Sequence, residues 1–174
     1  MKHLQLKGGA VVYIDWANVY GWTKSLKREV DPVKLLVYLK TYEQIKETRL
    51  YFGEDTHPKS KAFLQEVKKI GYTVVSKPVK YILVGEFEDQ KIYRRKCDFD
   101  MEMCIDVHYA LKENVESFIF FTGDGDFDPL YRMLIEQQKQ VIVIYAHGHL
   151  GREIYQINKG IYKRAVDSIE ELWA

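Results

Sequence analysis

Cysteine is scarce: 174 residues hold two, Cys97 and Cys104. Seven positions apart, they fit neither a CxxC metal site nor a secreted disulfide scaffold, and they point to a reducing compartment. Charge of one sign is also lacking. Twenty-six Lys and Arg stand against 25 Asp and Glu, a net charge of +1. Overall polybasic attraction to nucleic acid is thereby excluded, and any basic surface must be local. No apolar run reaches the roughly 18 residues of a membrane span. The opening stretch, Met1 to Gly9, is polar and has no signal-peptide core. The expectation is a soluble cytoplasmic protein. Internal repeats, low-complexity tracts and linkers are missing. So is any Ser-His-Asp set or Cys-His pair that would argue for a covalent nucleophile. What is left is a globular composition, 47% hydrophobic and 29% charged, in a chain long enough for one domain with a substantial core.

The most informative stretch is Phe118-Ile119-Phe120-Phe121-Thr122-Gly123-Asp124-Gly125-Asp126-Phe127-Asp128-Pro129. It begins as a strand buried on both faces. It then breaks into a glycine- and aspartate-rich turn and reads as a helix start, with Asp128 as N-cap and Pro129 at the first helical position. Asp124, Asp126 and Asp128 thus sit at the carboxyl end of a buried strand, where open α/β sheets place their ligands. Two unit charges 4 Å apart repel by about 4 kcal/mol at an effective dielectric near 20. A proton or a hard divalent cation relieves that repulsion. A solvated acidic turn with one capping Asp is the plainer alternative.

Earlier in the chain, Ala10 to Ile14 reads as a buried central strand delivering Asp15 and Asn18 to its carboxyl end. Gly21 to Val30 is basic and reads as a loop or frayed helix start. Asp31-Pro32 caps a helix carrying Leu35, Leu36, Leu39 and Tyr42. Thr48 to Gly53 is a second strand, and a helix from Pro58 ends at Gly71. Tyr72 to Val75 is a third strand. This β-α-β-α-β rhythm calls for a parallel sheet.

Residues 77–96 break the rhythm. Val79 to Val84 and Lys91 to Arg95 flank a charged turn, Gly85 to Gln90, and read as a β-hairpin or extended loop. Lys77, Lys80, Lys91, Arg94, Arg95 and Lys96 interleave with Tyr81 and Tyr93. Cations beside aromatics suit single-stranded nucleic acid; an ordinary solvated hairpin with tyrosines packed inward fits the same residues. Cys97 to Leu111 reads as a helix with Phe99, Met103, Val107, Ala110 and Leu111 as its apolar stripe. Asp98, Glu102 and Asp106 form a separate line on it, and Asp100 lies at the edge of the buried face. Acids in a first helical turn are also favoured by the helix dipole alone. After a further strand, Val141 to Tyr145, His147 and His149 alternate like a metal pair but have no third ligand nearby, so they read as a polar loop. Arg152 and Lys159 could face phosphates, and the tail from Ile161 to Trp173 reads as a short apolar segment with a closing helix. Trp16, Tyr20 and Trp22 are candidate exposed aromatics for a base-stacking surface or a homodimer.

Three signatures stand in order: Ile14-Asp15-x-x-Asn18, Lys96-x-x-Phe99-Asp100-Met101-Glu102-x-x-x-Asp106, and Thr122-Gly123-Asp124-Gly125-Asp126-Phe127-x-Pro129-Leu130. Together they resemble the NYN domain of the LabA group, a branch of the PIN-like nucleases, over residues 10 to 170. The resemblance implies an α/β fold: a three-layer α/β/α sandwich on a mainly parallel central sheet, here a single domain over 1–174 with a basic hairpin inserted at 77–96. It also implies Mg²⁺- or Mn²⁺-dependent hydrolysis of RNA phosphodiester bonds. Carried over position by position, Asp15, Asp100, Asp124 and Asp126 are the catalytic, metal-holding acids, with Asn18 assisting. Asp128 falls where relatives vary, and the role of Asp106 stays open. Lys80, Arg94, Arg95 and Lys96 are the expected contacts to RNA, single-stranded by preference. The alternative is a non-catalytic module of the same fold that binds RNA or protein. A haloacid-dehalogenase-type phosphatase would need an Asp-x-Asp directly after the first strand, which Asp15 does not begin. A TOPRIM-type site would need Glu where Asp15 stands.

Overall fold

The computed structural model describes residues 3–88 and 90–174. Its apolar runs become β1 (Ala10–Asp15), β2 (Ile45–Glu54), β3 (Thr73–Pro78), β6 (Ser117–Phe121), β7 (Gln140–Tyr145) and β8 (Ile161–Ala165). They form one sheet in the order β3-β2-β1-β6-β7-β8, and every neighbouring pair is parallel. A separate antiparallel ribbon joins β4 (Lys80–Phe87) to β5 (Gln90–Lys96).

Strand alternation sends side chains into two layers. Val12 and Ile14 face α1 (Trp16–Gly21), α3 (Pro32–Lys40) and α4 (Pro58–Ile70). Val11 and Tyr13 face α5 (Asp100–Lys112), α6 (Asp128–Glu136) and α7 (Arg152–Gln156). With helices covering both faces, the central strands are uniformly apolar, and the whole is a three-layer α/β/α sandwich. The chain runs outward from β1 through β2 and β3, then restarts at β6 beside β1 and runs outward the other way. The direction of winding therefore reverses between the carboxyl ends of β1 and β6, which is where such sheets open a crevice.

Several expected boundaries hold. Asp31 accepts from the Val33 and Lys34 amides at 2.7 and 3.1 Å, and Gly71 ends α4 at φ 110°. Others move. The stretch from Gly21, read as a loop or frayed helix start, contains a short helix, α2 (Thr23–Leu26). Helix α5 begins at Asp100, not Cys97, so Asp98 is not in line with Glu102 and Asp106; it pairs with Lys96 at 3.1 Å. The tail forms strand β8 and two 3₁₀ turns in place of a closing helix. Trp16 and Trp22 are buried, whereas Tyr20 is 63% exposed, so of the three candidate surface aromatics Tyr20 alone is one. The tryptophans are consumed in packing α1 onto the sheet.

Asp106 turns out to clasp α5 to β2. Arg49 reaches it at 2.7 Å and Glu47 at 2.9 Å, and Tyr51 donates its hydroxyl to Asp106 at 2.7 Å. Both partners of the Arg49–Asp106 pair are mostly buried, at 22% and 17% side-chain exposure. Removing one partner strands the other charge, so Arg49→Met should destabilise the protein by about 3 kcal/mol in urea unfolding. The Arg49→Met, Asp106→Leu double variant should lose clearly less than the two single changes added together.

Candidate active site

Asp15 closes β1 and caps α1, accepting from the Asn18 amide at 3.2 Å. Asn18 spends its side-chain oxygen on the protein: Oδ1 accepts from the Trp22 indole at 3.0 Å and from the Gly123 amide at 3.3 Å. It therefore ties the end of β1 to the loop after β6, leaving its amide nitrogen as the remaining donor.

In that loop, Thr122 is buried and its Oγ1 accepts from the Asp124 amide at 3.2 Å. Asp124 in turn accepts from the Asp126 amide at 3.1 Å, capping a 3₁₀ turn over Gly125–Phe127. This turn displaces the expected cap. Asp128 is the first residue of α6 and Phe127 its N-cap, and the Asp128 carboxylate takes the Arg132 guanidinium at 2.8 Å. Asp124, not Asp128, is the capping acid of the segment.

The glycines are there for close approach. Gly151 donates to the Gly123 carbonyl at 2.7 Å. A Cβ on Gly123 would collide with the His149 carbonyl oxygen, and one on Gly125 with the Glu153 carboxylate. The loops after β6 and β7 are thus pressed backbone to backbone. Gly123→Ala should displace Asp124 and cost about 1–3 kcal/mol or more, read as a lower urea midpoint.

Asp100, first residue of α5, brings the third strand-end acid. Asp15, Asp100 and Asp124 are half-buried, and Asp126 is exposed. Burial foremost, with smaller contributions from the charges of Asp124 and Asp100, lifts the Asp15 carboxyl to about 6 against the pull of the Asn18 and Ala17 amides. Burial likewise raises Asp100, followed by Asp124, Asp98 and Asp126, with Lys77 opposing. Elements far apart in sequence therefore place acids within electrostatic reach of one another. Among the described residues, no three His, Cys, Asp or Glu side chains form a ready-made metal cage.

The hairpin divides the expected RNA contacts. Cross-strand pairing sets Lys80 opposite Lys96 and Ile82 opposite Arg94, while Arg95 lies opposite Tyr81. Strand alternation puts Lys80, Arg94 and Lys96 on one face and Arg95 on the other. Arg95 pairs with Asp55 at 2.8 Å, and Tyr81 donates to Asp55 at 2.8 Å, which fixes the hairpin root to the end of β2. His147 pairs with Asp167, and His149 meets the Ser25 hydroxyl at 2.8 Å.

Sequence reasoning missed Tyr131. It is fully buried on α6 and its hydroxyl has no hydrogen-bond partner among the described residues. Burial, then the charges of Asp124 and Asp15, push its phenol well above the ordinary range. Its spacing with Phe127 and Leu134 is that of a core position, and the one available signal is a polar tip there.

Residues 9–158 match the NYN domain family. The chain is 26% identical over 148 residues to the low amplitude and bright protein LabA of Synechococcus elongatus, covering 82% of this chain and 76% of that one. A crystal structure of a protein of unknown function from Vibrio parahaemolyticus superposes with a TM-score of 0.74 at 19% identity, covering 99% of this chain and 100% of that one. The matched span takes in β1 with Asp15, α5 with Asp100 and the β6 loop with Asp124, and on it the chain belongs to the NYN domain family, whose fold is nuclease-like.

Proposed function

We propose that the protein is a metal-dependent ribonuclease hydrolysing RNA phosphodiester bonds. The observation that carries this reading is the placement of Asp15, Asp100 and Asp124 around the reversal point of the sheet, where burial first, and then the charges of Asp124 and Asp100, raise the Asp15 carboxyl to about 6. The donor set is all carboxylate oxygen, which fits Mg²⁺ or Mn²⁺. Mg²⁺ keeps much of its hydration and uses one or two carboxylates, so an open acidic cluster suits it better than a closed cage. Asp15, Asp100 and Asp124 would hold it, one or two of them directly and the rest through its waters. The ion supplies Lewis acidity that activates water and stabilises the leaving oxygen.

The chain's own groups do the rest. Asp126, exposed at the turn, accepts a hydrogen bond from the attacking water and fixes its direction. The Asn18 amide nitrogen donates to a phosphate oxygen. Lys80, Arg94 and Lys96, on one face of the hairpin, hold the strand by its phosphates. The test is metal removal and return: a single-stranded RNA is cut in Mn²⁺, cutting stops in EDTA, and it resumes when Mn²⁺ is restored. Cleavage unaffected by EDTA would refute the reading.

One observation favours a second reading. The basic face of the hairpin, Lys80, Arg94 and Lys96, needs none of the acids, which suits a module that binds RNA without cutting it. RNA binding that persists in EDTA with no cleavage at saturating Mn²⁺ would select that reading.

A further inference from the structure

A cavity of about 880 Å³ opens between α1, α4 and the root of the hairpin, within the size range of small-molecule sites. Asp15, Asp100, Asp124 and Asp126 are not on its wall, which begins one residue beyond Asp15. Trp16 and Ala17 on its wall directly follow Asp15. The Cys97 side chain, half-buried, is also on its wall.

The apolar wall is aromatic. Trp16 and Phe63 stack at 4.9 Å between ring centroids with 29° between planes, and Phe52 stands 4.8 Å from Phe63. Tyr20 lines the same space and is 63% exposed. Rings presented this way offer a planar ligand stacking surface at little entropic cost. The rim is polar, with His57, Ser60 and Arg95 among its residues. Although Arg95 pairs with Asp55, its side chain is 61% exposed. A guanidinium has five N–H donors, so a single carboxylate leaves some for a phosphate.

We infer that this cavity is a nucleobase subsite. It takes the base of a nucleotide beside the scissile bond, stacked against Phe63 and Tyr20, with that nucleotide's phosphate at Arg95. The hairpin root, latched by Asp55 to Tyr81 and Arg95, forms one side of its mouth. The link to cleavage rests on the ribonuclease reading; nucleotide binding in the cavity does not.

The test titrates adenosine monophosphate into the full chain in EDTA, followed by tryptophan fluorescence and calorimetry. Saturable binding with quenching is expected. Tyr20→Ala and Phe63→Leu should each weaken it about tenfold, the loss of one base–ring stack. Phe63→Leu keeps an apolar side chain in the packing, and thermal melts check that it folds. Arg95→Gln should weaken adenosine monophosphate and leave adenosine unchanged. No saturable binding at millimolar nucleotide, or binding indifferent to both ring variants, overturns the subsite even if the protein cuts RNA. Ring-dependent binding in a protein that never cuts RNA supports the subsite and sinks the nuclease reading alone.

Discussion

Asp15→Asn protein should be more stable than wild type at pH 7 in EDTA, and it should bind Mn²⁺ more weakly. Burial, with Asp124 and Asp100 adding to it, lifts the Asp15 carboxyl from 3.8 to about 6. Below about pH 4 the group is protonated in both folded and unfolded chains and contributes nothing. Between about pH 4 and pH 6 the native state holds a proton that the unfolded state has released, so stability falls as pH rises through that window. Above it the folded protein carries the full cost of the charge, about 3 kcal/mol. Asn removes the charge and remains a good N-cap, so the contact with the Asn18 amide survives. Urea unfolding from pH 4 to pH 8 should show a decline in wild type across this window that the variant lacks. Mn²⁺ should offset the cost in wild type alone, because a ligand stabilises the state it binds. A variant less stable than wild type at pH 7 in EDTA would mean that Asp15 carries no such strain.

Asp124→Asn should lower the rate of RNA cleavage by at least about a thousandfold, or about 4 kcal/mol of transition-state stabilisation. Asn can still cap the 3₁₀ turn through its side-chain oxygen, so the Asp126 amide keeps its acceptor and the loop its shape. What is lost is a negative charge at the point where β1 and β6 diverge. Asp128 is the internal control. Its carboxylate is taken up by Arg132 one turn along α6, and Asp128→Asn should leave the rate within about threefold, under about 1 kcal/mol. Single-turnover rates for the two variants, with circular dichroism to check folding, separate these outcomes. Equal losses would mean that the whole acidic turn acts only through its shape.

Much of the architecture is legible because buried parallel strands write long apolar runs. Phe118 to Phe121 and Val141 to Tyr145 can hardly be anything else, and the Asp-Pro at Asp31 and Gly71 punctuate their helices with local chemistry. Errors cluster where tertiary contacts override local signals. Asp128 followed by Pro129 is a good cap on propensity, but Asp124 captures the Asp126 amide first and winds a 3₁₀ turn that pulls Asp128 into the helix. Asp98 shares the spacing of Glu102 and Asp106, but Lys96 holds it outside the helix. The tryptophans of α1 look like surface rings until the sheet they cover is known. For the candidate site, Asp15 and Asp124 are readable because each stands where an apolar run breaks off, although the structure also uses both as caps, of α1 and of the 3₁₀ turn. The Asn18 clamp on Gly123 spans 105 residues, and no local pattern encodes it. Tyr131 is hidden for a related reason: a tyrosine on an apolar stripe looks like packing, and the lack of a partner for its hydroxyl is visible only in three dimensions.

The most direct test of the central claim is cleavage of an end-labelled single-stranded RNA by wild-type protein and by Asp124→Asn, side by side in saturating Mn²⁺ and in EDTA. The account predicts shortened products from wild type in Mn²⁺ alone, and none from the variant in either condition. Intact RNA from wild type in Mn²⁺, or products that persist with Asp124→Asn, would contradict it.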